Sequence, residues 1–375
     1  MKFRIFSVLF ILLTTCITTH SPSSEMQVTP GASATTSSYE TIDEKNAGQL
    51  TLLYQWDVED VFSFNPNTTL WFSDSHQFIV PISAVTTAGF RIQSFEVDKI
   101  TPTWFIKTDD REITIDDADQ VITYLAGLHI YNKQGLEIKI PEANDYCSET
   151  VASQIVAIPK TKLVITGHQH YGDITNSYGM SRLLIWNKDA NSCTELLKEF
   201  VGRLSSLSIS YDGRYISYSV ITSRIDSNNE LVAEATTYVY NMNLGKETCH
   251  LVGLNAQFNR QNQLAVIDSP EQRMISLISP DDCMTQLKFR DEIGVSAVTF
   301  NPSGDLLAGE SSEGILDIWN IKTGEKLYEI DLHTSIINSP FIGFSPDGRF
   351  LVTTKDAAPS SAEKDKVMLW GIPEN

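Results

Sequence analysis

The chain has 375 residues, and its 47 Asp and Glu residues outnumber its 28 Lys and Arg residues, which gives a formal net charge of −19. This charge repels phosphate backbones and anionic lipid headgroups, so it argues against nucleic acid as a partner. Hydrophobic residues make up 42% of the chain, as expected for a globular protein with a buried core.

The first residues are typical of an export signal. Two basic residues precede a nearly continuous apolar run over residues 5–13, which is too short to span a bilayer as a helix. The sequence LTTC at residues 13–16 resembles the lipobox of bacterial lipoproteins, with a threonine where Gly, Ala or Ser is usual. The resemblance implies that residues 1–16 are the signal, that Cys16 is lipidated, and that the protein is anchored to the outer side of a bacterial membrane. The alternative is a freely secreted protein, cleaved at residues 18–24.

Residues 17–40 are predicted to form a flexible tether. This segment is rich in Ser and Thr and holds no large apolar cluster, so it cannot bury enough surface to offset the entropy of ordering. After it, no apolar stretch approaches the roughly 18 residues that a membrane-spanning helix needs. We therefore expect contact with a membrane only through the N-terminal anchor.

A nine-residue phrase recurs along the rest of the chain, for example FSDSHQFIV at residues 72–80 and FSPDGRFLV at residues 344–352. In several copies an Asp-Gly or Ser-Gly pair supplies the positive φ of a tight turn, and an apolar triplet then begins a new strand. A period of about 40–50 residues with β-type units predicts the blades of a propeller. The seven copies begin at residues 72, 115, 158, 209, 258, 300 and 344.

One large side chain follows each phrase, late in a β-like segment and before a polar turn. Side chains of this size pack adjacent twisted sheets together. The seven positions are Phe95, Tyr131, Trp186, Tyr240, Leu277, Trp319 and Trp370.

These repeats resemble the WD-repeat β-propeller family over residues 41–375. Trp-Asn or Trp-Gly stands where the family has Trp-Asp, and His333 lies near the place of its Gly-His pair. Because these signature residues are mostly missing, we expect the family's internal His/Ser/Asp/Trp hydrogen-bond network to be mostly absent. A related propeller family is the alternative.

The number of units predicts how the ring closes. Residues 367–372 are the third predicted strand of the seventh unit, and no fourth strand follows them. Residues 50–56, at the other end of the domain, are predicted to form a strand that belongs to none of the seven units. The family resemblance also implies that this N-terminal strand completes the last blade, which removes an exposed sheet edge. The prediction is an all-β fold: a single seven-bladed β-propeller with four-stranded antiparallel blades.

Three connections between the second and third strands of a unit are enlarged, at residues 167–181, 222–235 and 354–366. In a propeller these connections share a face with the links between blades, and loops on a rigid scaffold often carry recognition. Each loop taken alone is better explained as a surface extension, but three on one side favour this face as a contact surface for a protein or peptide. The candidate residues are His168, His170, Tyr171, Asp173, Arg224, Asp226, Lys355 and Asp356.

No motif in the sequence predicts catalysis, a cofactor or a metal centre. There is no Gly-rich phosphate loop, G-x-S-x-G, H-E-x-x-H or paired C-x-x-C. His168 and His170 share one side of a strand end and so suit zinc or copper, but no second cluster supplies further ligands, which favours a surface pair without metal.

We therefore expect a non-catalytic scaffold of the cell envelope, or a secreted one, whose rigid blades hold several loops in fixed relation and so limit the entropy lost on docking. The alternative function is a metal-assisted propeller hydrolase with a cation at the channel mouth. Its ligands would be acidic residues in the links between blades: Asp57, Glu59, Asp60, Asp109, Asp110, Glu112, Asp291 and Glu292.

The other cysteines are Cys147, Cys193, Cys249 and Cys283, each near the beginning of the outermost strand of a different unit. Adjacent outer strands of a propeller diverge, whereas a disulfide needs Cα atoms within about 7 Å. The sequence therefore favours four largely buried thiols. A Cys147–Cys193 or Cys249–Cys283 disulfide is the alternative.

Overall fold

The computed structural model describes residues 38–58, 70–84, 89–108, 112–124, 127–139, 152–170, 179–190, 192–225, 231–268, 273–290, 294–311, 313–332, 341–355 and 364–374, and the structural statements below concern these residues. The predicted signal, with Cys16, and the tether before Ser38 lie outside them.

The described strands form seven antiparallel sheets, which are the seven blades of a β-propeller; six have four regular strands and one has three. The N-terminal segment contributes the 3-10 helix Ala47–Gln49 and strand β1 (Thr51–Val58). Blade 1 contains β2 (Gln77–Ala84), β3 (Gly89–Glu96) and β4 (Phe105–Thr108). Blade 2 contains β5 (Ile113–Ile115), β6 (Val121–Tyr124), β7 (Leu128–Tyr131) and β8 (Glu137–Lys139). Blade 3 contains β9 (Ala152–Ala157), β10 (Leu163–His170), β11 (Met180–Asn187) and β12 (Ser192–Val201).

Blades 4 to 7 continue the pattern. Blade 4 contains β13 (Arg203–Ile209), β14 (Tyr215–Ile225), β15 (Leu231–Asn241) and β16 (Lys246–Val252). Blade 5 contains β17 (Leu254–Phe258), β18 (Leu264–Ile267), β19 (Met274–Ile278) and β20 (Thr285–Arg290), and blade 6 contains β21 (Val295–Phe300), β22 (Leu306–Ser311), β23 (Ile315–Asn320) and β24 (Lys326–Asp331). Blade 7 contains β25 (Ile342–Phe344), β26 (Phe350–Lys355) and β27 (Asp365–Gly371).

The first strand of each blade is the innermost one, because the first strands of neighbouring blades contact each other. Blade 1 has three regular strands, and residues 70–72 occupy its innermost position. There Trp71 forms an antiparallel bridge with Phe78, and the Ile79 N–H donates to the Leu70 carbonyl at 2.9 Å.

The seven recurring large side chains all lie in third strands, as predicted. Trp186 is opposite Val164, Trp319 is opposite Leu307, and four of the remaining five hold the same register against the second strands of their own blades. Leu277 lies one residue out of this register, because Ile278, opposite Leu264, takes the equivalent place in blade 5. Six of the seven are buried, and Tyr240 is half-buried. The sequence repeat is therefore a packing repeat, in which one side chain per blade fills the space between neighbouring sheets.

The N-terminal strand closes the ring. In the last blade the strand order is β1-β27-β26-β25, so β1 is the outermost strand of blade 7, and it pairs Trp56 with Val367. Trp56 is buried, and its Nε1–H donates to the Lys99 carbonyl of blade 1 at 3.2 Å. At the end of the chain the Glu374 N–H donates to the Ser38 carbonyl at 3.0 Å. The prediction for closure is confirmed.

A disulfide joins blades 4 and 5. Cys249 in β16 and Cys283 are bonded, with their Cα atoms 5.7 Å apart. The preference for free thiols was wrong here, because Cys283 lies in the turn before β20 rather than in the diverging strand itself. The same turn is held to β16 by a hydrogen bond of 2.7 Å from the Thr248 hydroxyl to the Pro280 carbonyl. Cys193 is also disulfide-bonded, whereas Cys147 lies outside the described residues.

Across the described ranges, no helix combines the length and the apolar character that crossing a membrane requires.

Candidate interaction surface

The two ends of the ring differ in what they carry. Because the strands of each blade are antiparallel, the hairpins between second and third strands lie at the same end as the links from one blade to the next. We call this end the hairpin face, and the opposite end, with the turns that join first to second and third to fourth strands, the turn face. The predicted loops belong to the hairpin face.

The longest hairpin rises from blade 4. Strands β14 and β15 have 11 residues each and stay paired as far as Ile225 and Leu231. Blades 1 and 3 have the next longest hairpins, with eight residues in each of β2, β3, β10 and β11. In blade 5, by contrast, β18 and β19 have four and five residues. The longest paired extension among the described residues of this face thus belongs to blade 4.

His168 does not belong to this surface. It is fully buried in β10, where its Nε2 lies 2.7 Å from the Thr166 hydroxyl, and its ring packs edge-on against Tyr124 at 4.9 Å. The Trp186 Nε1–H donates to the same hydroxyl at 2.8 Å. The prediction of an exposed His168 was wrong, because β10 continues past Gly167 and turns this side chain into the interior between blades.

This cluster is a partial counterpart of the internal network that the WD-repeat resemblance implies. Trp370 of blade 7 makes the equivalent bond, from its Nε1–H to the Thr353 hydroxyl at 3.0 Å. In blade 6, Gly309 occupies the place of the threonine, and a Cβ atom there would lie 2.9 Å from the Trp319 ring. Parts of the network are therefore present in blades 3 and 7, although the family's dipeptides are missing.

The other predicted contact residues are described only in part. His170 ends β10, and Arg224 lies in β14, where its backbone is opposite that of Val232. Lys355 is half-buried at the end of β26. The predictions for Tyr171, Asp173, Asp226 and Asp356 lie outside the described residues.

Glycines and hydroxyl groups fix the hairpins of blades 3 and 4 to the links beside them. Gly202 has φ +117°, and a Cβ atom there would lie 2.5 Å from Val220, so the link approaches β14 more closely than any side chain permits. The Ser181 hydroxyl donates to the Gly202 carbonyl at 2.7 Å. In the next link, the Thr237 hydroxyl donates to the Gly253 carbonyl at 3.0 Å. The bases of these hairpins are therefore held in a fixed relation to the ring.

An aromatic cleft opens between the outer parts of blades 3 and 4. The rings of Tyr218 and Tyr238 stack with their centroids 5.2 Å apart. The Phe200 ring of β12 packs on Tyr218 and the His250 ring of β16 packs on Tyr238, with centroid distances of 5.4 and 5.5 Å. Burial raises the pKa of Tyr218 and of Tyr238, with Glu247 adding to the effect in both cases, so both phenols are neutral at neutral pH. Tyr218 is buried and Tyr238 is half-buried, so the neutral ring that a partner can reach in this stacked pair is that of Tyr238.

Exposed valines that were not predicted from the sequence continue this cleft toward the hairpin face. Val232 lies on the same side of β15 as Tyr238, because alternate residues of a strand share a side. Val252 shares that side as well, since it is opposite Thr236. Val232 is 36% exposed and Val252 is 52% exposed. An alternation of polar and apolar residues shows which residues share a side of a strand, but not which sides remain uncovered by neighbouring strands, so these valines could not be identified from the sequence.

Acidic groups flank the apolar cleft. Glu234 and Glu247 lie near enough to Tyr238 to raise its pKa, after the larger effect of burial. The cleft of Phe200, Tyr218, Tyr238, Val232, Val252 and His250, hereafter the blade 3–4 cleft, therefore combines apolar and aromatic surface with nearby negative charge.

The turn face differs, because its polar groups already bind neighbouring blades. The Asn262 side chain donates to Asp212 at 2.9 Å, and the Gln261 side chain donates to the Ser303 carbonyl at 2.7 Å. These contacts join neighbouring blades across the turn face.

The acidic links that the hydrolase alternative requires are mostly outside the described residues. Of the two that are described, Asp57 is paired with Lys366 at 3.1 Å, and Glu112 is buried. The described residues thus bring no pair of these carboxylates together at the channel.

Comparison with known proteins gives one limited similarity. No protein-family model matches the chain. Over 96 residues it is 28% identical to "Pre-mRNA-processing factor 19 homolog 2" of Arabidopsis thaliana, and this match covers 25% of the chain and 16% of that protein. Together with the seven blades, the similarity supports a WD-repeat-like propeller and, in general terms, a protein-interaction scaffold. Bacterial origin and the export signal remain predictions.

Proposed function

We propose that the protein is a non-catalytic scaffold of the cell envelope that binds a protein or peptide partner through the blade 3–4 cleft and the long hairpins beside it. The cleft carries the proposal: a run of exposed valines leads into stacked aromatic rings on a framework whose links are fixed by close contacts. Aromatic and apolar anchors set in a rigid surface are typical of binding hot spots.

The chemistry of the cleft defines the partner. Its rings accept apolar side chains, and their faces also attract cations. The nearby Glu234 and Glu247, and the net charge of −19, favour a basic segment over an acidic one. We expect the partner to present a short stretch that mixes Lys or Arg with apolar residues.

Site-specific photo-crosslinking in native membranes tests the surface. A photoreactive amino acid at Val232 should form a covalent adduct with a defined protein, because this position borders the cleft. The matched control is Leu244, which is 61% exposed but lies in a turn of the turn face of the same blade. Equal labelling of one protein from both positions, or labelling from Leu244 alone, would contradict the proposed surface.

A pair of double variants then tests the contribution of the cleft to affinity. Val232→Ser with Val252→Ser should weaken binding of the crosslinked partner about tenfold or more, because two apolar contacts near the centre of the surface are lost. Leu244→Ser with Met284→Ser removes two exposed apolar side chains from the turn face and should leave the affinity unchanged.

The envelope location is part of the proposal, supported by the lipobox-like LTTC sequence and the absence of another long apolar stretch in the sequence. Metabolic labelling with palmitate should mark the wild-type protein but not the Cys16→Ala variant, which should also leave the membrane fraction. An unlabelled wild-type protein recovered from the medium would favour free secretion instead.

A further inference from the structure

Three potential metal ligands meet at the turn-face end of blade 1. His76 lies in the turn before β2, Glu96 ends β3, and Asp98 follows in the turn toward β4. One nitrogen or carboxylate oxygen atom from each of these side chains lies within 4.8 Å of the others. All three are exposed or half-buried, so an ion has access from solvent.

The backbone holds these ligands in place. The Val97 N–H donates to the His76 carbonyl at 3.0 Å, which joins the two turns directly, and the His76 N–H donates to Asp74 Oδ1 at 3.1 Å. A hydrogen bond of 3.2 Å from the Trp56 Nε1–H to the Lys99 carbonyl also holds the turn that follows Asp98. Three side chains on a fixed backbone need only rotamer changes to converge on one ion.

The distance between His76 and Asp98 suits a tetrahedral ion with nitrogen and oxygen ligands. His76 Nε2 and Asp98 Oδ1 are 3.2 Å apart. Metal–ligand bonds of about 2.0–2.1 Å place two ligands of a tetrahedral zinc about 3.3 Å apart. One imidazole and two carboxylates leave the fourth position for water, an arrangement that zinc accepts readily.

We propose that His76, Glu96 and Asp98 bind one zinc ion, which ties the two turns of blade 1 together beside the strand that closes the ring. The ion would stabilise the folded ring by binding it in preference to the unfolded chain, in which the ligands are 20 and 2 residues apart. Because Trp56 of β1 donates a hydrogen bond to the Lys99 carbonyl, zinc binding at this turn should also stabilise the closing strand β1. The proposal does not depend on partner binding at the blade 3–4 cleft.

Lys99 competes with the ion. Its Nζ lies 2.6 Å from Glu96 Oε2. The ammonium group therefore occupies one of the carboxylates that zinc needs. Removal of this charge should strengthen zinc binding, which a merely structural role for the cluster would not produce.

The experiment is a calorimetric titration of zinc chloride into the purified full-length protein with its disulfides intact. We expect His76→Ala and Asp98→Asn each to weaken one zinc site about tenfold or more, since each removes a ligand. Lys99→Gln should tighten the site about two- to fivefold, which corresponds to an exposed ion pair. The control is His250→Ala, which removes an exposed histidine that faces Glu247 at 2.8 Å, and it should bind zinc as the wild type does.

Thermal unfolding gives a second measurement. Zinc should raise the unfolding temperature of the wild type and of His250→Ala, but not that of His76→Ala. The proposal is overturned if His76→Ala and Asp98→Asn bind zinc with wild-type stoichiometry and affinity, or if Lys99→Gln binds it more weakly than the wild type.

Discussion

The links that lead into and out of blade 4 pass through glycines because the neighbouring strands leave no room for a side chain. At Gly202 a Cβ atom would lie 2.5 Å from Val220 and 2.9 Å from the Ile221 carbonyl oxygen, and at Gly253 it would lie 2.7 Å from the Ile267 carbonyl oxygen. Both residues also have a positive φ, of +117° and +143°. Space and backbone conformation thus require glycine at the same places.

We expect Gly202→Ala to lower the free energy of unfolding by about 1–3 kcal/mol, since the new methyl group forces the link away from β14 and strains its backbone. Urea denaturation measures the loss. The control is Gly48→Ala, where the nearest atom to a new Cβ is 3.9 Å away and no left-handed φ is needed. That variant should stay within about 0.5 kcal/mol of the wild type; similar losses for both would show that the close approach is not the cause.

Single residues were also the hardest to assign from sequence. The pattern of apolar residues placed Trp186 and five of its six equivalents correctly, because packing between blades repeats with the chain, whereas Leu277 lies one residue from the equivalent position, which is Ile278. His168 was misplaced, because an isolated histidine near a predicted loop gives no indication that its strand continues inward. The exposed Val232 and Val252 gave no signal either, since a valine in a strand is ordinarily part of a core.

Among the elements, the turn before β20 has an effect beyond its own blade. It bends back toward β16 and carries both the Cys249–Cys283 disulfide and the bond between Thr248 and Pro280. Outer strands diverge, as the sequence analysis expected, but turns at their ends do not need to follow them. The two outer edges of blades 4 and 5 are therefore joined covalently where the strands alone leave a gap.

Replacement of both cysteines, as Cys249→Ser with Cys283→Ser, should reduce the free energy of unfolding by about 3–4 kcal/mol. The estimate follows from the chain entropy released when a loop of 34 residues is no longer closed in the unfolded state. Chemical denaturation measures the change, and mass spectrometry of the alkylated wild type, with and without reduction, verifies the bond. Modification of Cys249 or Cys283 without reduction would contradict it.

At the scale of the whole molecule, the strand β1 decides whether the sheets form a ring. It supplies the outermost strand of blade 7 and places Trp56 against Phe78 and Phe95 of blade 1, at 5.8 and 5.2 Å between ring centroids. One strand thus serves the last blade through hydrogen bonds and the first blade through packing.

Trp56→Ala should cost about 3–5 kcal/mol, which is usual for the loss of a buried tryptophan side chain. Leu52→Ala in the same strand is the control, because Leu52 is largely exposed and its removal should have little effect. A chain shortened to begin after Val58 should be insoluble or lack a cooperative transition, whereas one that begins at Ser38 should unfold as the parent does. A cooperative transition at the parent temperature in the shorter chain would refute the closure.

The net charge acts on the molecule as a whole. We expect the association rate of the partner identified by crosslinking to fall several-fold as salt rises from about 50 mM to about 500 mM, because screening weakens the attraction of a basic segment to an acidic surface. Stopped-flow measurements at several salt concentrations test this. A rate independent of salt would show that the acidic surface does not guide the encounter.

The overall architecture was the part that sequence predicted best. Repeated phrases and the unassigned strand at residues 50–56 sufficed for seven blades and their closure, because each blade buries the same kind of surface. The candidate cleft and the cluster of His76, Glu96 and Asp98 were not predictable, because they join residues from different strands and turns, whose distances depend on how the sheets twist and pack.

The meeting of the two ends of the described chain has a consequence for engineering. The Glu374 N–H donates to the Ser38 carbonyl, and Tyr39 forms a bridge with Pro373, so a short peptide linker can connect these ends without disturbing a blade. New ends can then be opened elsewhere, for example in the exposed turn at Leu244. Such a circular permutant would have its chain ends on blade 4 rather than blade 7 while keeping the same contacts within the blades.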